Sequence, residues 1–194
     1  MKKDIILSGV GGQGILSIAT VIGRAALEEG LQIKQAEVHG MSQRGGDVQS
    51  NLRISSSRID SDLIARGGAD LIISLEPMEA LRYLPWLAAD GWVITNTTPF
   101  VNIPNYPDAG TLQRELASLP HVVALDVDSL AKAAASPRSA NMVLLGAAAP
   151  FLGLEAGKFE QGIRAIFARK GDAVVEMNLA AFRAGYEQAK KQIR

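Results

Sequence analysis

The sequence predicts an α/β protein with a Rossmann-like open, mainly parallel sheet, helices on both faces and a helical C-terminal part. Strand patterns alternate with helix patterns over the first two thirds of the chain, which is typical of βαβ units. A glycine-rich turn directly follows the first strand and leads into the first helix. Residues 31–54 give a strand–loop–strand pattern without room for a crossover helix. We therefore expect a hairpin or an antiparallel strand there, as an insertion after the second strand.

The individual elements follow from apolar periodicity and from residues that start or stop helices. Strands are predicted at 4–8, 31–38, 48–54, 69–75, 92–96 and 122–126. Helices are predicted at 13–29, 77–89, 111–119, 128–135, 141–152, 155–169 and from 172 onward. Gly30 and Gly91 are interpreted as helix stops, and Asp128 as an N-cap. The helix at 141–152 is apolar nearly all round, which fits a buried helix and an interface equally well.

The charge balance and the lack of cysteine exclude several function classes. Lys and Arg total 20, as do Asp and Glu, so no net charge attracts nucleic acid or an anionic membrane. Without cysteine the chain has no disulfides, thiolate nucleophiles or cysteine-ligated iron–sulfur clusters. The most apolar stretch, 142–154, is short and interrupted by glycine and proline, and the apolar run at 5–7 is too short for a signal peptide. We expect one cytoplasmic domain, 1–194, without nucleic-acid or membrane partners.

Residues 9–14, Gly9-Val10-Gly11-Gly12-Gln13-Gly14, match the pattern G-x-G-x-x-G between a strand and a helix. In that context Gly9 permits a tight turn, Gly11 lets the backbone approach a ligand, and Gly14 lets the helix pack close to the strand. The N–H groups at the start of the helix can hold a phosphate or a carboxylate. The alternative is a tight strand–helix connection that binds nothing. We favour binding of an anionic group over that alternative, and over NAD or FAD itself.

Glu37 keeps a second function open. It lies late in the second strand, near the place where dinucleotide-binding folds carry an acid that binds a ribose. A free-standing NAD(P)- or flavin-dependent oxidoreductase is therefore the main competing function, and a binding module without catalysis is a third. No general acid–base pair is evident in the sequence, so no catalytic residue is assigned.

The loop after the second strand, His39-Gly40-Met41-Ser42-Gln43-Arg44-Gly45-Gly46, is expected at the same sheet edge as the glycine turn. It offers a hydroxyl, an amide and a fixed cation in Ser42, Gln43 and Arg44, and arginine suits bidentate contacts with carboxylate or phosphate. The alternative is a hairpin loop in which Arg44 pairs with Glu37 or Asp47. His39 and His121 are the only histidines and lack partners at metal-ligand spacing, so no metal site is predicted.

Three segments together resemble one family. Residues 8–14, 37–46 and 141–147 are similar, in this order, to the gamma-type domain of 2-oxoacid:ferredoxin oxidoreductases. Within that family the resemblance is nearest to the beta-type subunit of the indolepyruvate enzymes, and it covers essentially the whole chain. The loop 40–46 is its most specific part. The candidate residues that shape a ligand site or an interface are Gly9, Gly11, Gly12, Gln13, Gly14, Glu37, Gly40, Met41, Ser42, Gln43, Arg44, Gly45, Gly46 and Asn141.

The resemblance also implies a reaction and its partners. A 2-oxoacid such as indolepyruvate is oxidatively decarboxylated with coenzyme A, giving an acyl-CoA, carbon dioxide and two reduced ferredoxins. Thiamine diphosphate and iron–sulfur clusters are expected in a large partner subunit, which leaves this chain without a cofactor of its own. Ferredoxin is then met through the complex, and the chain is inactive alone. The isolated chain could form a homodimer.

Overall fold

The computed structural model describes residues 1–39 and 45–193, without the side chain of His39. Its strands are β1 (Lys2–Val10), β2 (Gln32–His39), β3 (Asp47–Ser55), β4 (Ala69–Ser74), β5 (Leu87–Asn96) and β6 (Val122–Leu125). Its helices are α1 (Ile15–Glu28), α2 (Pro77–Arg82), α3 (Ala109–Ala117), α4 (Val127–Ala134), α5 (Ala140–Leu152), α6 (Ala156–Phe167) and α7 (Asp172–Gln192).

Within the described residues the strands form one sheet in the order β2-β3-β1-β4-β5-β6. Strands β1, β4, β5 and β6 are parallel to one another, whereas β3 lies antiparallel between β1 and β2. This confirms the mainly parallel sheet and the antiparallel strand predicted within 31–54. The parallel strands end together at Val10, Ser74, Asn96 and Leu125, and we call this side the carboxyl edge. Strand β3 starts at the same edge.

The two faces of the sheet carry unequal layers. Ile5 and Leu7 of β1 face a large core built with α1, α4, α5, α6 and α7. Ile6 points to the opposite face, because successive side chains of a strand alternate. There it packs in a smaller core with Ala80 of α2 and Tyr83, the residue that follows α2. Helix α3 packs against α2 and β6. Helices on both faces are therefore confirmed, as is the helical C-terminal part.

Helix α5 is the centre of the large core, which decides between the two interpretations of its apolar sequence. Its buried residues are Met142, Val143, Leu144, Leu145, Gly146, Ala147, Ala148, Ala149 and Leu152. It crosses α7 at Gly146 and Gly185, where the backbones of the two helices touch. The helix is therefore buried in the core of this chain. In the described part of the chain, no helix combines the length and the apolarity that a membrane span requires.

The predicted helix at 77–89 is wrong. Helix α2 ends at Arg82, a 3-10 turn follows at Leu84–Trp86, and β5 already begins at Leu87. Pro85 is the physical reason, because proline lacks an N–H and its ring clashes with the carbonyl four residues earlier.

Two residues that the sequence assigned to helix ends, Gly91 as a stop and Asp128 as an N-cap, do not have these roles in the structure. Gly91 is not a helix stop but lies inside β5, where an added Cβ would lie 2.6 Å from Leu87 Cδ1 and 3.0 Å from Ala69 O. Asp128 is not the N-cap of α4. Asp126 is the cap, and its side chain accepts a hydrogen bond from the Ser129 N–H at 2.9 Å.

Candidate functional site

The glycine turn is held together by the side chain of Gln13. Its Oε1 accepts a hydrogen bond from the Val10 N–H at 2.7 Å, and its Nε2 donates to Leu75 O, just beyond β4, at 3.3 Å. A Cβ on Gly9 would lie 2.8 Å from Gln13 Oε1. Gly9 therefore leaves room for the Gln13 side chain. Both hydrogen bonds of that side chain are made to the backbone of the turn and of the residue after β4, so Gln13 has a structural role in the site.

Gly14 makes its close contact with α5, not with the strand as predicted. It is the N-cap of α1 with φ +87°, a left-handed conformation that favours glycine. Asn141 Nδ2 donates to Gly14 O at 3.3 Å, and a Cβ on Gly14 would lie 2.7 Å from that nitrogen. Two candidate residues separated by more than half of the chain are thus in direct contact.

We expect Gly14→Ala to destabilise the chain more than Gly12→Ala. Both positions have positive φ, which costs an alanine roughly 1–2 kcal/mol. Only Gly14 adds a clash with the described residues, because none of their atoms lies within 4 Å of a Cβ on Gly12. Denaturant unfolding of the two variants measures the difference. Combining Gly14→Ala with Asn141→Ala should recover part of the loss, and equal destabilisation by the two glycine variants would contradict the contact.

The second glycine loop meets the glycine turn through its backbone. The Gly11 N–H donates to Gly46 O at 2.8 Å, and the Gly45 N–H donates to Gly11 O at 3.4 Å. Gly45 and Gly46, the described end of the loop, therefore lie beside the glycine turn at the carboxyl edge, where the loop was predicted. Gly46 is therefore a backbone neighbour of Gly11, and the approach of a ligand to Gly11 stays a prediction.

Part of the predicted site lies outside the described residues. These are Gly40, Met41, Ser42, Gln43 and Arg44. The contacts expected of Ser42, Gln43 and Arg44, and the alternative pairing of Arg44 with Glu37 or Asp47, stay predictions.

A cleft of about 340 Å³ opens beside the glycine turn. It is lined by Val10, Gly11, Gly12, Gly14, Ile15, Leu16, Glu37 and Val48. Most of its walls are apolar, and Glu37 is an exposed carboxylate in the lining. Helix α1, which lies wholly within the described residues, starts here without a side-chain cap or an acidic residue in its first turn. The cleft can take a ligand with an apolar body and hydrogen-bond donors that face Glu37.

Sequence reasoning missed a group of buried acids next to this edge. Glu76 is fully buried, and its carboxylate accepts hydrogen bonds from the Glu79 N–H at 2.9 Å, the Phe100 N–H at 3.2 Å and the Tyr106 hydroxyl. Burial raises the pKa of Tyr106, and its hydrogen bond to Glu76 adds to that. The one signal in the sequence was the pair Glu76-Pro77 at the start of a helix, which predicts a cap but not its distant partners.

A second acid and tyrosine lie at the other end of α2. Tyr83 donates its hydroxyl to Asp47 Oδ2 at 2.8 Å, and burial together with this hydrogen bond raises the pKa of the Tyr83 phenol. Burial also raises the pKa of Glu79, and the nearby Asp47 charge adds to the shift, although an ion pair with Arg82 at 2.7 Å opposes it. The start of β3 is thereby tied to α2.

The histidines and acids form no recognisable metal centre in the described ranges. No group of three or more His, Asp or Glu side chains could hold a metal ion among residues 1–39 and 45–193. His121 stacks on Trp92 with 5.1 Å between ring centroids, as a packing residue would.

Comparison with known proteins connects this architecture to one family. The sequence profile of the family described as pyruvate ferredoxin/flavodoxin oxidoreductase matches residues 4–188. The chain is 37% identical to indolepyruvate oxidoreductase subunit IorB of Archaeoglobus fulgidus, over 97% of this chain and 96% of that protein.

Two solved structures share the fold. The keto/oxoacid ferredoxin oxidoreductase gamma subunit of Geobacter sulfurreducens has a TM-score of 0.70 at 25% identity, and the match covers 97% of this chain and 99% of that one. The 2-oxoglutarate:ferredoxin oxidoreductase of Magnetococcus marinus has a TM-score of 0.77 at 22% identity, over 98% of this chain and 31% of that one. The chain therefore belongs to the pyruvate ferredoxin/flavodoxin oxidoreductase family, as a small subunit of an oxoacid:ferredoxin oxidoreductase.

Proposed function

We propose that this chain is the small subunit of an indolepyruvate:ferredoxin oxidoreductase. In the reaction an aryl 2-oxoacid and coenzyme A give an acyl-CoA and carbon dioxide, and two ferredoxins are reduced. The observation that carries the proposal is the 37% identity to an indolepyruvate oxidoreductase subunit over nearly the full length of both chains. A free-standing NAD(P)- or flavin-dependent enzyme is less favoured, because the whole chain matches a subunit of a larger enzyme.

The redox cofactors belong, in this proposal, to the large partner subunit. Iron–sulfur clusters are held mainly by cysteine thiolates, and this chain has no cysteine, so its residues do not fit such a cluster. Thiamine diphosphate is assigned to the same partner. Coenzyme A is the co-substrate, in keeping with the Magnetococcus marinus enzyme, which is described with coenzyme A and succinyl-CoA bound. The complex would meet ferredoxin in the cytoplasm.

The carboxyl edge is the surface that we assign to the active site of the partner. It joins the glycine turn to the second glycine loop through Gly11, Gly45 and Gly46. It also carries the apolar cleft with Glu37. Arg44 is the residue of the loop best suited to hold a phosphate of coenzyme A or the carboxylate of the oxoacid.

We expect Arg44→Ala to raise the KM for one of the two anionic substrates. Loss of a charge-assisted hydrogen bond of about 2 kcal/mol corresponds to a rise of roughly thirtyfold. The measurement is steady-state kinetics of the assembled complex, with coenzyme A and indolepyruvate varied separately and ferredoxin reduction as the signal. Which KM rises identifies the group that Arg44 holds.

Arg58→Ala is the matched control, because Arg58 is an exposed arginine that follows β3 at the opposite edge of the sheet. Both KM values and the assembly of that variant should equal those of the unmodified complex. Unchanged kinetics and unchanged assembly of Arg44→Ala would refute the site role. Failure of the complex to oxidise indolepyruvate, with good rates on another 2-oxoacid, would refute the substrate.

A further inference from the structure

The segment between β5 and α3, residues 97–108, reaches across the carboxyl edge, and we call it the strap. At its start the Thr97 N–H donates to Leu125 O at 2.9 Å, which fastens it next to β6. At its end Asp108 caps α3 by accepting from the Thr111 N–H at 2.9 Å. Three prolines within it fix φ and stiffen the backbone. The strap is therefore anchored at both ends and restrained between them.

Glu76 fastens the middle of the strap to the end of β4. The carboxylate accepts from the Phe100 N–H at 3.2 Å and from the Tyr106 hydroxyl, so one fully buried side chain holds two points of the strap. A buried carboxylate without such donors would be strongly destabilised. These hydrogen bonds therefore keep Glu76 buried and the strap in place at once.

Helix α2 links this anchor to the second glycine loop. Glu76 is its N-cap, through the Glu79 N–H, and Tyr83 is its C-cap. The Tyr83 hydroxyl donates to Asp47, the first residue of β3 and the second residue beyond Gly45. One short helix thus supports the strap at one end and the outgoing side of the loop at the other.

Asn102 completes the connection. Its Nδ2 donates to Gly45 O at 2.8 Å, from an exposed position on the strap. Gly45 has φ +78°, and its N–H points to Gly11 O at 3.4 Å. The strap, the second loop and the glycine turn therefore meet at Gly45. The side chain of Asn102, which connects the strap to Gly45, is exposed and is not part of the hydrophobic core.

We propose that Asn102 is a positioning residue, which fixes Gly45, at the described end of the second glycine loop, against the glycine turn by holding the Gly45 carbonyl. Through that restraint it sets the KM for the ligand of the loop. The kinetic part of this inference rests on the proposed function of Arg44. The restraint on Gly45 does not, because it depends only on contacts within this chain.

The first test measures the restraint itself. Trypsin cleaves after arginine, and the rate of cleavage of the Arg44–Gly45 bond in the full chain reports how firmly Gly45 is held. Asn102→Ala should increase this rate about fivefold, the factor that corresponds to one hydrogen bond of about 1 kcal/mol. Asn102→Asp should behave like Asn102→Ala, because a carboxylate cannot donate to Gly45 O.

The second test uses the assembled complex. Asn102→Ala should raise the KM that Arg44→Ala raises, by about fivefold, and leave kcat within about twofold. A merely structural role would lower kcat and the yield of the complex without singling out one substrate. Asn105→Ala is the control, since Asn105 is exposed on the same strap and makes no side-chain hydrogen bond to the described residues. It should change neither the cleavage rate nor either KM.

The outcomes separate this inference from the proposed function. Unchanged cleavage of Asn102→Ala overturns the inference. So does an unchanged KM for Asn102→Ala in a complex whose KM rises with Arg44→Ala. If Arg44→Ala leaves both KM values unchanged, the proposed role of the loop fails, and the cleavage rate alone then decides whether Asn102 holds Gly45.

Discussion

Gly146→Ala should be among the most destabilising single substitutions in this chain, at about 3 kcal/mol or more. A Cβ at this position of α5 would lie well inside van der Waals contact with Phe182 O, and 2.9 Å from the Tyr186 nitrogen. Both atoms belong to the backbone of α7, so no side-chain rotation can relieve the clash and the helices must separate. Because α5 lies at the centre of the large core, that separation disturbs packing on all sides.

Gly185→Ala tests the same crossing from the other helix. Its Cβ would meet Val143 O and lie 3.1 Å from the Ala147 nitrogen, so we expect a similar loss. Gly157→Ala is the control, because Gly157 lies near the start of α6 and no atom in the described part of the chain lies within 4 Å of an added Cβ. It should stabilise the chain by up to about 0.5 kcal/mol. Thermal or denaturant unfolding gives all three values, and a loss below about 1 kcal/mol for Gly146→Ala would contradict the crossing.

The fold could be predicted from the sequence where a signal is local. The strand and helix patterns, the glycine turn and the strand–loop–strand segment each lie within a few dozen residues, and they predicted the mainly parallel sheet and its antiparallel strand. Pro85 was also a local signal, and taking account of it would have ended the helix that begins at Pro77 in the right place. The burial of α5 was not local, because it depends on small residues of α7 that lie about forty positions away.

The candidate site divides in the same way. The contact of Gly11 with Gly46 was predictable. Gly11 follows the end of β1 and Gly46 precedes the start of β3, and both of these strand ends lie at the carboxyl edge. The contact of Gly14 with Asn141 and the hydrogen bond of Asn102 to Gly45 join distant parts of the chain, and no periodicity encodes them. Glu76 shows the limit most clearly, because a glutamate before a proline indicates an exposed helix cap and gives no sign of complete burial.

Arg53→Met should destabilise the chain by about 3 kcal/mol at neutral pH, because it leaves the buried carboxylate of Asp4 without its main partner. Arg53 and Asp4 face each other across β1 and β3 and form a bidentate pair, with Nε–Oδ1 at 2.7 Å and Nη2–Oδ2 at 2.9 Å. The guanidinium also donates to Ser61 O and Leu63 O, so its loss frees the segment after β3. Lys2 stays 2.9 Å from Asp4, but its side chain is 63% exposed and replaces little of the pair.

The pH dependence of that loss identifies its cause. Burial alone would raise the pKa of Asp4, but its hydrogen bonds and ion pairs with Arg53 and Lys2 bring the pKa below the usual value. A carboxyl with a lowered folded pKa contributes stability above its unfolded pKa, and that contribution is lost as the pH falls through the folded pKa. Without Arg53, burial dominates and the pKa of Asp4 rises, so the variant takes up a proton at a higher pH than the unmodified chain. The difference in unfolding free energy should therefore shrink as the pH falls from about 7 toward about 4, the ordinary pKa of an aspartate.

Denaturant unfolding across that range measures the difference, with Arg164→Ala as the control for loss of an arginine. Arg164 pairs with Glu176 at 2.8 Å, but both side chains are more than half exposed. Its removal should cost no more than about 0.5 kcal/mol at any pH. A loss for Arg53→Met that stays constant with pH would mean that packing of the arginine, and not the buried charge of Asp4, determines the stability of this strand pair.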